Sequence, residues 1–347
     1  FRDDKKTMLT KKEKYNVAVV GATGIVGESL LDILHSRKFP IEKIHAVASQ
    51  KSKGSKAKFG DELITVEALD EFSFTNIDIA FFSAGGSISK EYATKAAKED
   101  CIVIDNTSEF RYVDNIPLVV PEVNPEDISK YKETNIIANP NCSTIQMLVA
   151  LKPLHDEFNI QHINVSTYQA VSGSGKDGVE ELLQQSSAYI DQRSMDMKVY
   201  PKQIAFNTIP FVDCFLDNDY TREEMKMVWE THKIMDKKIT INPTAVRVPV
   251  LIGHAESVYI ETEKDIDINH ARKCLENFSG IQIIDDVSTI DFPTSFEYGH
   301  GTDDVYVGRL RNGLDKKNSL NLWVVADNVR KGAALNSIQI AEHLIEE

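Results

Sequence analysis

Asn16-Val-Ala-Val-Val-Gly-Ala-Thr-Gly-Ile-Val-Gly27 is the stretch that decides the fold. Its opening residues are apolar and largely β-branched, which suits a short buried strand. The run stops at Gly21, and residues 28–35 then place Leu30, Leu31 and Leu34 at the spacing of one helix face. A strand that passes through a glycine turn into a helix is the opening of a βαβ unit. Residues 44–48, 77–82 and 102–105 repeat the apolar strand signature, with an Ala-rich helical stretch at 89–99 between the last two. Strands alternating with helices predict an α/β domain with a doubly wound parallel sheet.

The same glycines imply a ligand. Gly21, Gly24 and Gly27 are spaced GxxGxxG rather than GxGxxG, a variant also used by Rossmann-like dinucleotide-binding proteins. Glycine permits a tight turn and close backbone approach, and the helix that follows aims its N-terminus at a pyrophosphate. Gly21, Thr23, Gly24, Ile25 and Val26 are therefore candidate dinucleotide contacts. A NAD site usually places an acid after the second strand to hold the ribose hydroxyls. Here that position reads Ala48-Ser-Gln-Lys-Ser-Lys-Gly54, which has hydroxyls and lysines but no acid. Ser49, Lys51 and Ser52 suit a 2′-phosphate, so NADP is favoured over NAD; the competing reading is a solvated basic loop. Ser83 and Gly85, in Ser83-Ala-Gly-Gly86, form a second close-approach turn after the third strand.

After Pro153 the character changes. Residues 163–170 alternate, β-rich runs follow at 244–251, 255–261, 305–310 and 320–326, and helices are expected at 221–235 and 268–278. This predicts a second, α+β domain with a mostly antiparallel sheet half covered by helices. Residues 191–219 show no period and are expected to wrap the surface. Residues 328–345 read as a closing helix, with Leu335, Ile338, Ala341 and Ile345 on its apolar side, packing back onto the first domain. The domains are drawn as 14–141 plus 328–347, and 142–327.

Cys142 lies in Ile137-Ala-Asn-Pro-Asn-Cys-Ser-Thr-Ile-Gln-Met147, between a short strand at 136–138 and a helix at 143–152. Backbone N–H groups and the positive end of the helix dipole converge on such a turn. They lower a thiol's pKa, and the thiolate is the nucleophilic form. The bland alternative is a buried structural cysteine.

Composition narrows the remaining choices. The formal net charge of −14 argues against nucleic acid and anionic membranes as partners, since phosphate neutralisation needs clustered cations. The four cysteines have no CxxC spacing, which predicts neither a disulfide framework nor a metal site and fits a reducing cytoplasm. Cys101 and Cys274 read as core packing, and the histidines other than His254 as isolated surface or packing residues. No apolar run approaches the ~18–20 residues that span a bilayer. The polar, Lys-rich start shows no secretion signal. Met8 reads as a candidate natural start, with residues 1–7 either a remnant or a leftover leader and set aside from the fold.

Taken together, Gly21-Ala-Thr-Gly-Ile-Val-Gly27, Asn139-Pro-Asn-Cys-Ser-Thr144, Tyr168-Gln-Ala-Val-Ser-Gly-Ser-Gly175, Arg247-Val-Pro-Val-Leu-Ile-Gly-His-Ala-Glu256 and Asp327-Asn-Val-Arg-Lys-Gly-Ala-Ala334 resemble aspartate-semialdehyde dehydrogenases of the bacterial type. The resemblance runs in order from about Val17 to the C-terminus. It implies a Rossmann-like domain joined to a catalytic and dimerisation domain. It also implies NADPH-dependent reductive dephosphorylation of 4-aspartyl phosphate to aspartate 4-semialdehyde, on the route to lysine, threonine and methionine. The chemistry calls for a nucleophile that forms a thioester, the role of Cys142, with its N–H and the Asn141 side chain as nearest oxyanion donors.

By the same resemblance His254 is the acid/base and Gln169 orients the substrate near the thiol. Arg247 takes the substrate carboxylate, Glu223 its ammonium, and Lys226 and Arg111 its phosphate. Ser172, Gly173 and Asn328 sit on the nicotinamide side, and Gly332-Ala-Ala334 gives the cofactor room. Read alone, Arg247 interrupts an apolar strand and needs an anion. Glu223 and Lys226 share one face of a helix opened by a Thr221/Glu224 capping box, and by spacing alone they would be a routine surface pair. A homodimer or dimer of dimers is expected. Two rivals stand beside this reading: an N-acetylglutamyl-phosphate reductase, and an NADP-binding thiol redox sensor without catalysis.

Overall fold

The structure is a computed structural model that describes residues 9–346, so the reading of Met8 as a candidate start and of residues 1–7 as a remnant or leader lies outside the described residues. The chain divides into two compact units, Phe1–Pro140 with Ala333–Glu347, and Asn141–Gly332. This division differs from the one drawn from sequence mainly in giving 328–332 to the second unit.

The first unit carries β1 (Tyr15–Val20), α1 (Ile25–Ser36), β2 (Ile41–Ala48), β3 (Lys56–Phe59), β4 (Glu62–Ala68) and β5 (Ile79–Phe82). Next come α2 (Gly86–Ile88), a π-helical turn at Ser89–Ala93, α3 (Thr94–Lys98), β6 (Ile102–Asp105) and β7 (Ile136–Ala138). The seven strands form one sheet in the order β3-β4-β2-β1-β5-β6-β7, parallel throughout except for the β3–β4 hairpin. That order confirms the doubly wound sheet. Because β1 pairs with β2 on one side and β5 on the other, the strand order reverses at its carboxyl end. This is the switch point where open α/β sheets bind ligands. The β3–β4 hairpin went unread because its strands are short and mostly exposed, Lys-Ala-Lys-Phe and Glu-Leu-Ile-Thr-Val-Glu-Ala, so no apolar run announces them.

The second unit contains α4 (Cys142–Phe158), β8 (Ile160–Gln169), α5 (Gly175–Ile190), α6 (Arg222–Ile234), β9 (Thr240–Arg247), β10 (His254–Thr262), α7 (Ile268–Glu276), β11 (Ile281–Ile283), β12 (Val305–Asn312) and β13 (Ser319–Ala326). Its six-stranded sheet runs β11-β12-β13-β10-β8-β9, with β8–β9 and β11–β12 parallel and the other pairs antiparallel. Two boundaries moved. α4 continues through Pro153 rather than stopping at Lys152; the lost N–H bond is outweighed because most of this helix, Pro153 included, is buried. β9 stops at Arg247, four residues before the expected end. Pro249 cannot extend a ladder, and Val250 and Leu251 instead accept hydrogen bonds from Val171 and Ser172.

The segment 191–219 is irregular, as expected, yet it is held in place. The Glu181 carboxylate accepts from the N–H groups of Lys198, Val199 and Tyr200, and Gln185 accepts from those of Ile204 and Ala205. Both acceptors stand on α5, so one helix replaces the missing secondary structure.

The chain ends with a π-helical turn at Arg330–Ala334 and α8 (Leu335–Glu346). Leu335, Ile338, Ala341 and Leu344 of α8 join Val17, Val19, Leu30 and Leu34 in the first unit's core, with Ile345 partly buried against it. The closing helix therefore does pack back on the first domain.

Candidate active site

Within the second unit, the sheet register brings a set of polar side chains to one edge. Gln169 ends β8 and is paired with Arg247, which ends β9; Ala255 is opposite Tyr168, so His254, at the start of β10, comes to the same end. Thr167, Gln169, Arg247, His254 and Glu256 are all nearly or fully buried, and the alternation of the pleat puts them on one face.

Cys142 is the first residue of α4, immediately after the N-cap Asn141, and is partly exposed. It is neither walled off in hydrocarbon nor remote from the polar cluster. Asn141 caps the helix: its Oδ1 accepts from the N–H of Ser143 at 3.1 Å and of Thr144 at 3.4 Å. Its Nδ2 donates to Glu223 Oε1 at 2.9 Å and its own N–H donates to Glu230 Oε2 at 2.7 Å. The Asn141 side chain is therefore first a brace for the nucleophile's turn. A methyl added to Gly332 would lie 2.8 Å from the Cys142 Cβ, so the glycine is pressed against the nucleophile rather than merely leaving space for a cofactor.

α6 supplies the clamp. The capping box is present as read, with Thr221 accepting from Glu224 N–H and the Glu224 side chain accepting from Thr221 N–H. Glu223 is buried and accepts from Asn141 Nδ2, from Gln169 Nε2 at 3.0 Å and from Lys226 Nζ at 3.0 Å. Burial alone would raise its pKa, but Lys226, Asn141 and Gln169 together outweigh burial and hold it down to about 2. Lys226 also reaches Asp213 at 2.9 Å. Glu230, two turns from Glu223 on the same helix, was missed in the sequence. It is fully buried among Met227, Thr231 and Ile234 on the helix's apolar face.

His254 is fully buried, not a surface residue of a glycine turn. Ala170 N–H donates to its Nδ1 at 3.0 Å, so a neutral ring carries its proton on Nε2. Burial first, and the nearby Arg247 cation second, push its pKa down to about 3, so the neutral ring is the state at neutral pH. Nε2 has no hydrogen-bond partner among the described residues, and a methyl on Gly173 would come within 3.5 Å of it. The unfolded chain takes up a proton on this ring near pH 6.5, whereas the folded chain refuses it down to about 3. Stability from this group is therefore lost as pH falls from about 6.5 towards 3. His254→Asn should flatten the fall in urea midpoint between pH 7 and pH 5; an unchanged slope would show that another group sets it.

Arg247 donates from Nη1 to Ala170 O at 2.7 Å and lies over the Tyr200 ring at 6.0 Å. The expected nicotinamide-side residues form one knot: Ser172 Oγ and the Asn328 amide exchange hydrogen bonds, and Gly253 N–H donates to Asn328 Oδ1 at 2.9 Å. Asn328 thus ties the Ser172–Gly173 turn to the residue preceding His254.

The remaining predicted residues belong to the first unit. Gly21 has φ +91°, and a methyl there would be 2.9 Å from Ser83; one on Gly27 would be 2.1 Å from Gly21 O. No other residue fits either place, and α1 opens at Gly24 without a side-chain cap. Thr23, Ile25 and Val26 follow the same turn. Ser49 and Lys51 are exposed and Ser52 half-buried at the end of β2, while Ser83 follows β5 and Gly85 has φ +96°. Arg111 is buried and donates to Asn106 O at 2.9 Å, also in the first unit.

Cys101 is buried, as expected for packing, whereas Cys274 is only half-buried. Among the described residues no group of three His, Cys, Asp or Glu could hold a metal ion, and no helix is long and apolar enough to cross a membrane.

Comparison with known proteins agrees with both units. Residues 16–131 match the family model for the semialdehyde dehydrogenase NAD binding domain, and residues 151–331 that for the semialdehyde dehydrogenase dimerisation domain. The aspartate-semialdehyde dehydrogenase of Legionella pneumophila is 52% identical over 333 residues, covering 96% of each chain. A crystal structure of aspartate semialdehyde dehydrogenase II from Vibrio cholerae, complexed with ASA, matches with a TM-score of 0.95 at 50% identity over 97% of this chain and 99% of that one. The aspartate semialdehyde dehydrogenase of Candida albicans, solved with NADP, matches with a TM-score of 0.73 at 25% identity, covering 95% and 98%.

Proposed function

The chain belongs to the aspartate-semialdehyde dehydrogenase family, and from that premise we propose how its residues carry the reaction. The protein is an oxidoreductase of amino-acid biosynthesis that converts 4-aspartyl phosphate reductively to aspartate 4-semialdehyde and phosphate, and it binds a nicotinamide cofactor. The match to a dimerisation domain supports a homodimer. A cytoplasmic setting is part of the same reading.

The glycine turn at Gly21–Gly27 fits a dinucleotide, because its close backbone approaches leave no room for side chains. NADP is the proposed form. The loop after β2 offers Ser49, Lys51 and Ser52 to a 2′-phosphate, and a relative of the same fold was solved with NADP. When bound, the reduced nicotinamide supplies the hydride that turns a thioester carbonyl into an aldehyde.

Cys142 is the nucleophile. Its thiolate forms the S–C bond with the acyl carbon, the C–O bond to phosphate breaks, and phosphate leaves; after reduction the S–C bond breaks and the sulfur is regenerated. The N-terminus of α4 favours the thiolate. The Cys142 N–H is the proposed donor to the oxyanion, with Asn141 holding that turn rigid. His254 presents Nε2–H, which suits an acid that protonates or hydrogen-bonds the reacting oxygen. In that protonation state it does not abstract the thiol proton.

Gln169 orients the substrate, Arg247 binds its carboxylate in bidentate fashion, and Glu223 its ammonium. Lys226 and Arg111 take the phosphate, which must compete with Glu223 and Asp213 for Lys226. The ionised, buried Glu223 favours a substrate with a free ammonium over an N-acetylated one.

The observation that carries this reading is a partly exposed cysteine opening a capped helix in a unit whose sheet edge collects Gln169, Arg247 and His254, with Glu223 of α6 bonded to Gln169. The test runs the reaction backwards, with semialdehyde, phosphate and NADP, following NADPH absorbance. NADP should outperform NAD. Arg247→Ala should raise the semialdehyde KM and Lys226→Ala the phosphate KM; equal effects of both variants on both substrates would refute the division of roles.

A further inference from the structure

Among the buried acids that the mechanism leaves unused, Glu256 stands closest to His254 in sequence. Glu256 is fully buried on β10, two residues after His254 and on the same face of the sheet. Its register partners are Thr167 on β8 and Val324 on β13, neither of them charged. Neither of its carboxyl oxygens has a hydrogen-bond partner among the described residues. On the helix that covers this face, Gln146 stands one turn after Cys142. Gln146 Nε2 donates to the His254 backbone carbonyl at 3.3 Å, and its Oε1 is also buried with no partner among the described residues. Gln146 also lies within reach of Glu256, where its amide pulls the carboxyl's pKa down, a smaller effect than the burial that raises it.

An ionised carboxylate in such a place would carry a heavy desolvation penalty, and an amide oxygen with no donor a smaller one. Both deficits vanish with a single proton. We propose that Glu256 is held as the neutral carboxylic acid and donates its O–H to Gln146 Oε1, so that Gln146 is fixed between Cys142's helix and the His254 backbone. Burial, with no cation on the paired strands, pushes this carboxyl well above the usual range, which agrees. Glu256 is thus a positioning residue. It sets Gln146, Gln146 sets the first residue of β10, and that residue carries the imidazole. The arrangement also explains why a carboxyl group lies under the reaction centre without repelling the thiolate, because it bears no charge.

The experiment has two arms. Infrared spectroscopy of the wild-type protein at neutral pH should show the carbonyl band of a buried carboxylic acid, absent from Glu256→Gln. Absence of that band from the wild type overturns the proposal, whatever the fate of any variant. In the kinetic arm, Glu256→Gln keeps a donor and an acceptor in place. It should stay within about threefold of wild type in kcat and leave the pH profile of Cys142 alkylation unmoved. Glu256→Leu and Gln146→Leu should each lower kcat roughly tenfold or more, with the semialdehyde KM unchanged and the alkylation profile displaced alike. Glu256→Gln as impaired as Glu256→Leu would mean that the charge is required, and Glu256→Leu indistinguishable from wild type would mean that the carboxyl is a bystander. The kinetic arm rests on the thioester reading, whereas the infrared band does not. A failure of Cys142 chemistry and a failure of this proposal are therefore told apart.

Discussion

Cys142→Ser should leave no measurable turnover in either direction, a loss on the order of 10⁴-fold or more by analogy with the removal of other covalent nucleophiles. A serine hydroxyl at the same position gains the helix N-terminus but stays protonated, and an oxygen ester would accept hydride less readily than a thioester. The substitution is nearly isosteric on a partly exposed side chain, so the urea midpoint and cofactor binding should stay near wild type. Mass spectrometry of wild-type protein mixed with 4-aspartyl phosphate without reductant should trap an acyl adduct on the peptide holding residue 142, and the variant should carry none. Retention of activity in Cys142→Ser would end the thioester reading while leaving membership of the family untouched.

Glu223→Leu should be the second large effect, and should damage stability and catalysis together. The carboxylate receives donors from Asn141, Gln169 and Lys226. Losing it orphans buried groups at about 1–3 kcal/mol each. It also releases the brace on the nucleophile's turn, so kcat/KM should fall roughly 10²–10³-fold, comparable to losing a preorganised donor. Glu223→Gln keeps an acceptor and should recover most of the stability but little of the catalysis, because the charge facing the substrate ammonium is gone. A pH dependence follows. Its carboxyl titrates near 4.5 when unfolded and near 2 when folded, so its contribution is complete above about 4.5 and disappears as pH falls towards 2. Urea midpoints below pH 4.5 should fall less steeply in Glu223→Leu than in the wild type, the His254 contribution being common to both.

Much of the architecture was legible from residues 16–27 alone, because central parallel strands are apolar on both faces and a glycine turn leaves few alternatives. The capping box at Thr221/Glu224 was equally plain, since cap chemistry is local. What escaped were features that depend on partners distant in sequence. The β3–β4 hairpin is polar and shallow, and its place follows from pairing with β2 rather than from any pattern of its own. Pro153 suggested an end to α4, but packing around that helix overrode the local rule. Glu230 and Glu256 looked like ordinary charges until the fold buried them. His254 was expected as the acid/base after a glycine turn, but its proton position could be settled only by the N–H of Ala170, which the register of β8 and β10 supplies.

Gly332 pressing on Cys142 also bears on how the chain is stitched. These two residues lie at the outgoing and incoming ends of the second unit, which begins at Asn141 and closes at Gly332. A module whose two ends touch behaves as an insertion into its host, able to be gained or lost without unravelling either core. Bulk added at Gly332 would therefore push on the Cys142 Cβ, disturbing the meeting of the second unit's two ends as well as the chemistry.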